Sequence, residues 1–459
     1  MGDLLAARLQ MAFSLGFHII FACVGMAMPF LMAIAHWRYI KTGDAVYKDL
    51  SKAWSKGVAI FFATGAVSGT VLSFELGLLW PEFMEHAGPI FGMPFSLEGT
   101  AFFIEAIALG LFLYGWGKIP KWIHWGSGLM VGITGVASGI LVVAANAWMN
   151  SPTGFDYDPL TNTYSNIDPI AAMFNPAWFT QALHMILAAF TATGFAVAGV
   201  HAFLLIRKPA NRFHQQAMRI ALLVGGIAAF LQPLSGDLSA KDVAVRQPAK
   251  LAAMEAHFHT EEYAGLLIGG IPNEETGEVH YGIKIPGLLS FLAHGDFKQE
   301  VVGLDQIPED ERPPVAVTHF AFQIMVGAGT FLMMVAFLYF FAQKFRPRWL
   351  GHKNFLWLVA LSTPLGMLAV EAGWTVTEVG RQPWIINGIM RTKEAVTPMP
   401  GIQYSFYTVV VVYTLLAVLV SWLMKRQVQT LAQNYDSMDE EIDLSQNKAN
   451  TKTEVIEEL

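Results

Sequence analysis

Nine stretches of about twenty or more mostly apolar residues recur along this chain, and nothing else in it restricts the fold as tightly. As a helix, a stretch of that length spans the ~30 Å hydrocarbon core of a bilayer. No water is available there to satisfy backbone N–H and C=O groups, so each stretch has to close its own hydrogen bonds as an α-helix. The stretches fall at about residues 11–35, 56–80, 95–117, 122–148, 178–206, 216–235, 314–343, 354–378 and 404–424. With 54% hydrophobic and 14% charged residues, the composition is too apolar for an ordinary soluble protein. The predicted fold is all-α, a polytopic transmembrane helical bundle of about nine spans. The first stretch follows a short amphipathic start at 1–10. It exceeds a signal-peptide core and lacks an A-x-A-like cleavage site before the next loop, so it is predicted to be a retained span.

The chain then divides into residues 1–235 with spans one to six, a polar loop at 236–313, spans seven to nine in 314–426, and a tail at 427–459. The Lys/Asn/Glu-rich composition of that tail predicts an exposed, mobile cytoplasmic segment. Basic residues set the orientation. Arg38, Lys41, Lys48, Lys52 and Lys56 follow span one, Lys118 and Lys121 span three, Arg207, Lys208 and Arg212 span five. Lys344, Arg346, Arg348 and Lys353 follow span seven, and Lys425 and Arg426 span nine. Odd-numbered spans are therefore predicted to end in the cytoplasm, with the N-terminus outside and the C-terminus inside. The net charge of -7 lies mainly in loops and tail, and nothing suggests nucleic-acid binding. Cys23 is the single cysteine, which excludes intrachain disulfides, Cys-ligated zinc and iron–sulfur clusters. A bound metal would have to use His, Met or carboxylate ligands.

Ionisable groups at membrane depth are costly, and function is their default explanation. The stretch EAGWTVTEVGRQPW ends span eight with Glu371, Trp374, Glu378 and Arg381. A helix end emerging among headgroups, stopped by Gly380 and anchored by Arg381 and Trp384, would also account for it. In span three, Glu98 and Glu105 fall within about 20° of one helix face and roughly 10 Å apart along the axis. That pair suits a proton relay or a metal ligand beside a proton donor, unless Glu98 sits in the interface and only Glu105 is buried. Glu75 has a weaker claim, because Trp80 and Pro81 mark an interface close by. Asn146, at the end of span four, is explained better by a bond between helices than by a proton path. His184 in span five and Met325 in span seven, near His319 and Gln323, suit the axial positions of a low-spin haem. Against this, most of the 21 methionines must serve core or lipid faces, and His18 in span one can simply bond a neighbouring backbone. In the long loop, RQPAKLAAMEAHFH reads as a short helix entered through Pro248. Lys250 and Glu255 lie about 140° apart on it and form no i,i+4 pair. They could present separate groups to one ligand, although unaided the segment reads more readily as a solvated amphipathic helix.

GRQPW at 380–384 after Glu378, QPAKLAAMEA at 247–256, LEGTAFFIEA at 97–106, QIMVG at 323–327 and ANAWMN at 145–150 together resemble subunit I of the cytochrome bd quinol oxidases. The resemblance runs in order over essentially all nine spans. It implies a terminal respiratory oxidase of the bacterial cytoplasmic membrane that oxidises membrane quinol on the outer side and reduces O2 to water without pumping protons. It implies three cofactors, a low-spin haem b, a high-spin haem b and a haem d. The implied partners are a second multi-pass membrane subunit, cytochrome bd subunit II, with room for a small single-span subunit. By the same resemblance His184 and Met325 would be the axial ligands of the low-spin haem, and His18 and Glu378 would each hold one high-spin haem. Glu98 and Glu105 would serve the proton path or the di-haem site, Lys250 and Glu255 would bind and deprotonate quinol, and Trp374 and Arg381 would contact haem. Arg381 suits a propionate, since guanidinium has no lone pair for iron. One departure is Gln323, where some members carry Arg, and the short form of the loop leaves the quinone type open. Two rivals remain. An electron-transfer cytochrome b without oxygen chemistry has no use for His18 and Glu378 as ligands with an open position opposite. A proton-coupled transporter calls for inverted repeats, which are not evident in the sequence.

Overall fold

The computed structural model describes residues 2–161 and 163–457, with side chains for all of these except Phe91 and residues 432–457. Among the described residues, nine helices are long and apolar enough to cross a membrane: Asp3–Thr42, Ala45–Leu79, Gly92–Tyr114, Lys121–Asn150, Trp178–Arg207, Arg212–Arg246, Val315–Phe345, Lys353–Val379 and Ile402–Leu431. They are called spans one to nine below. The ninth is part of a helix from Ile402 to Glu457. The expectation of an exposed tail therefore falls largely on side chains outside the described residues.

Several helices outrun their apolar stretches, span one running from Asp3 to Thr42 and span two starting at Ala45, and two of the departures have identifiable reasons. Span six runs to Arg246, eleven residues past the expected boundary at 235. Its extension is polar and is held by the i,i+4 pairs Lys241–Asp237 and Arg246–Asp242, so it continues the helix without continuing the hydrophobic run. Span eight is broken into Lys353–Leu361 and Leu365–Val379. Pro364 sits at the break, where its missing N–H and its ring disfavour an unbroken helix.

The core lies where spans one to eight meet, around Leu31, Met32, Trp54, Phe112, Val131, Phe195, Leu332, Tyr339 and Val359. Spans five and six cross at Gly194 and Gly225, where a Cβ on Gly194 would come within 2.5 Å of the Gly225 Cα. Only glycine permits that backbone approach, which is how helices gain contact where no water is available to drive them together. Large apolar side chains such as Phe74, Phe103, Ile107 and Leu415 point outward, as lipid or another membrane subunit requires.

Connections sort by end. At one end the turn after span one meets the turn before span six through Arg212 and Asp44, 2.5 Å apart, and Gln427 of span nine bonds the Ala53 carbonyl. At the other end the segment after span eight seals spans two and four, with Thr397 N–H on the Leu79 carbonyl and Asn387 N–H on the Met149 carbonyl. Arg391 of that segment reaches Asp310 in the long loop at 2.7 Å. The basic turns thus share one end and the acid-bearing loops the other, the alternation that the charge pattern predicts. The long loop is itself folded. After the helix Pro248–Met254, Leu266–Ile268 pairs antiparallel with Ile283–Ile285, and Ile271–Asn273 with Glu278–His280. Leu288–His294 closes the module as a further short helix.

Candidate functional site

The lower half of span eight carries Glu371, Trp374 and Glu378 on one face, and Gly380 and Arg381 follow where the helix stops. Glu378 accepts hydrogen bonds from both sides: Asn146 Nδ2 of span four donates to Oε1, and Arg381 Nη2 donates to Oε2 at 2.5 Å. Arg381 is 3% exposed, so this is no headgroup anchor. Its Nε and Nη1 have no partner, and neither do the buried Trp374 Nε1 and Glu371 Oε1. A buried polar atom left without a partner costs about 1–3 kcal/mol, so three unmade donors and one unmade acceptor, on and just past the end of span eight, fit a polar ligand. Asn146 does bond across helices, as expected, and its partner there is the Glu378 carboxylate.

His18 and Glu75 lie between spans one and two. His18 Nδ1 is 2.8 Å from Ser68 Oγ, which leaves Nε2 as the ring nitrogen able to bind iron. One and two turns toward the N-terminus, Ser14 and Gln10 both donate to Glu75 Oε1 at 2.9 Å. Glu75 is 3% exposed, so the nearby Trp80 and Pro81 do not bring it into an interface. His184 is held by Ser235 of span six, with Nδ1 to Oγ at 3.0 Å, and the Gln232 amide nitrogen lies 3.1 Å from Nε2 and 3.2 Å from the His184 carbonyl. Met325 packs on span eight at Gly373, where a Cβ would come within 2.9 Å of the Met325 sulfur. Glu105 is buried, and half-buried Glu98 accepts from Ser138 Oγ of span four at 2.8 Å. Both carboxylates therefore face protein.

The long loop brings its two candidates inside. Lys250 is 4% and Glu255 5% exposed, which overturns the solvated-helix reading. The loop helix is only seven residues long and lies beneath the hairpin module, with the Lys250 stem passing Gly380, where a Cβ would come within 3.0 Å of Lys250 Cγ. Glycine at the end of span eight thus lets the loop helix dock on it. Lys250 Nζ donates to Asn150 Oδ1 at 2.7 Å and to Gln247 Oε1 at 2.8 Å. Burial, then the Arg381 charge, lowers the Lys250 pKa to about 7, with Glu378 opposing. Burial raises that of Glu255 to about 8 against a hydrogen bond from the Leu267 backbone, and Glu255 Oε2 has no partner. His319 pins the same module through Met254 O at 2.8 Å and Gly269 O at 3.3 Å. Gln323 does so with both ends of its amide, accepting from Gly269 N–H at 2.9 Å and donating to Leu267 O at 3.0 Å.

Sequence reasoning passed over Asn150, Gln247, Ser68, Ser138 and Ser235. Asn150 left a signal, since ANAWMN sets two asparagines i,i+4 on one face at the end of an apolar helix. The serines left none beyond their type.

Among the described residues no three His, Cys, Asp or Glu side chains converge as a metal site. Single histidine, methionine and carboxylate groups placed on separate helix pairs fit a cofactor that brings most of its own ligands, as haem does. Fold and site together define a multi-pass membrane protein of the cytochrome kind. The profile of cytochrome bd terminal oxidase subunit I matches residues 6–431. The chain is 35% identical over 435 residues to the putative cytochrome bd menaquinol oxidase subunit I of Bacillus subtilis, covering 92% of this chain and 96% of that one. It is 30% identical to the cytochrome bd ubiquinol oxidase subunit 1 of the same organism, covering 96% of each. The structure of bd oxidase from Geobacillus thermodenitrificans superposes with a TM-score of 0.89 at 37% identity, over 94% of this chain and 99% of that one. The chain belongs to the cytochrome bd terminal oxidase subunit I family. It is a haem-bearing respiratory oxidoreductase subunit of a membrane.

Proposed function

We propose that this chain oxidises membrane quinol in its outer loop and holds a low-spin haem b, a high-spin haem b and a haem d, in the bacterial cytoplasmic membrane. Lys250 carries the reading. As a neutral amine it spends both N–H groups on Asn150 and Gln247, which leaves its lone pair for a quinol hydroxyl proton. Glu255 Oε2, buried and unpartnered, suits the second hydroxyl. Both groups titrate near neutrality, where proton transfer in either direction is efficient.

His184 and Met325 are assigned to the low-spin haem b, and His18 and Glu378 to the two high-spin haems. Ser235 and Ser68 orient the histidines through Nδ1, the kind of support that metal-binding histidines receive. An iron at His184 Nε2 would displace the Gln232 amide, which keeps its bond to the His184 carbonyl. Arg381 Nε and Nη1 suit a propionate and Trp374 Nε1 a second acceptor of the same haem. Glu98 and Glu105 are assigned to the proton path or the di-haem site. When bound, the haems supply one-electron transfer from quinol, through the low-spin haem b, to the high-spin pair where oxygen is reduced to water.

Quinol protons released on the outer side, with oxygen-site protons drawn from the cytoplasm, separate charge without a pump. Each charge moved costs about 2.3 kcal/mol per 100 mV, which the redox step supplies. The outward apolar faces leave surface for cytochrome bd subunit II and a small single-span subunit. A reduced-minus-oxidised spectrum of the purified oxidase tests the reading. A long-wavelength chlorin band beside b-type bands supports it, b-type bands alone favour a quinone-linked electron-transfer cytochrome, and no haem band favours a transporter.

A further inference from the structure

Between Lys250 and Glu378 runs an unbroken file of hydrogen bonds. Lys250 Nζ donates to Asn150 Oδ1 at 2.7 Å, Asn150 Nδ2 donates to Asn146 Oδ1 at 3.2 Å and to the Asn146 carbonyl at 2.9 Å, and Asn146 Nδ2 donates to Glu378 Oε1. Gln247 Nε2 adds a second donor to Asn150 Oδ1 at 3.1 Å. Every bond points the same way, from the Lys250 amino group to the Glu378 carboxylate. Asn150 is 1% exposed, and turning its amide over would set N–H against the N–H groups of Lys250 and Gln247, so its orientation is fixed by both neighbours. Primary amides neither gain nor lose protons near neutrality, so the file is no proton wire. What it can pass on is orientation and polarisation, each bond strengthening the next in a buried, low-dielectric setting.

We propose that Asn150 is a positioning residue that couples the quinol lysine to the haem-binding carboxylate, so that the charge and occupancy of the outer loop are felt at the Glu378 haem. Coupling between two sites is reciprocal, so the state of that haem biases Lys250 equally. A reduced oxygen site and a loaded quinol site thereby inform one another without sharing a ligand. The inference rests on the assignment of Lys250 to quinol and of Glu378 to haem made above.

A double-mutant cycle on the purified, haem-loaded oxidase complex tests it, read as the midpoint potential of the high-spin haems by optical redox titration. Titrated at pH 6, where Lys250 is protonated, Lys250→Met removes a positive charge and is expected to lower that potential in the parental protein. In the Asn150→Leu background the same substitution is expected to produce less than about half of that shift. An equal shift in both backgrounds overturns the proposal, because Lys250 then acts through space alone. Should Asn150→Leu lose haem, Asn150→Ala serves in its place, with haem content per polypeptide as the check on assembly. The underlying assignments fail separately: an unchanged quinol KM in Lys250→Met removes the lysine from the quinol site, and a full haem complement in Glu378→Ala removes the carboxylate from the haem.

Discussion

The acid limb of quinol oxidation should report Lys250 and Glu255 directly. Quinol gives up a proton only to a free lone pair, so both groups must be deprotonated, and the rate rises with pH. With Lys250 at about 7, its neutral fraction is about nine-tenths at pH 8 and about one-tenth at pH 6. With Glu255 at about 8, its ionised fraction is about one-half at pH 8 and about one-hundredth at pH 6. Their product falls on the order of 500-fold across that interval. Glu255→Gln removes one ionisation, so its fall should shrink to about 10-fold, and Lys250→Met should leave about 50-fold. The assay is kcat/KM for a soluble quinol at saturating oxygen, which reports the free enzyme and the reduced donor rather than proton uptake at the oxygen site. Haem bands recorded on the same samples show that the protein is intact. If both variants kept the parental steepness, neither buried group would be the base that takes the quinol proton.

Four further outcomes follow from other parts of the site. His184→Ala or Met325→Leu should abolish the low-spin haem b signal and leave the high-spin bands, and an unchanged low-spin spectrum refutes the pair. Glu378→Ala strands the buried Arg381 guanidinium, a loss of about 3–5 kcal/mol, and should remove one high-spin haem and oxygen reduction while the low-spin haem persists. Arg381→Ala should weaken haem retention or shift its potential without ending ligation, and full oxygen consumption with all haems in Glu378→Ala would return both residues to a purely structural role. Gln323→Leu orphans the Gly269 N–H and the Leu267 carbonyl, at about 1–3 kcal/mol, and should speed limited proteolysis between 266 and 285 with haem content unchanged. Equal cleavage rates would show that the loop is held by other contacts.

The spans were legible because lipid admits few backbone solutions, so apolar length alone specifies helix. Their ends were less so. Asp237, Lys241, Asp242 and Arg246 carry span six into water by ion pairs that a hydropathy reading scores as loop. Within the site, His18, Glu105 and Glu378 announced themselves through the cost of burying them in a bilayer. Lys250 and Glu255 did not, since charged residues in a polar loop look solvated until the hairpins that cover them are folded. Asn146 and Asn150 show the deeper limit. Their i,i+4 spacing is visible in the sequence, but their partners Glu378 and Lys250 lie 232 and 100 residues away, a pairing that only the tertiary fold creates.

Gln323 makes the long loop and span seven one heritable unit. Its amide both accepts from the Gly269 backbone and donates to the Leu267 carbonyl, whereas a guanidinium at this position could only donate. An arginine introduced here would therefore leave the Gly269 N–H without its acceptor. The loop should therefore keep its fold in another oxidase only when residue 323 travels with the hairpins, and chimaeras cut between them should assemble with full haem yet hold their loops poorly.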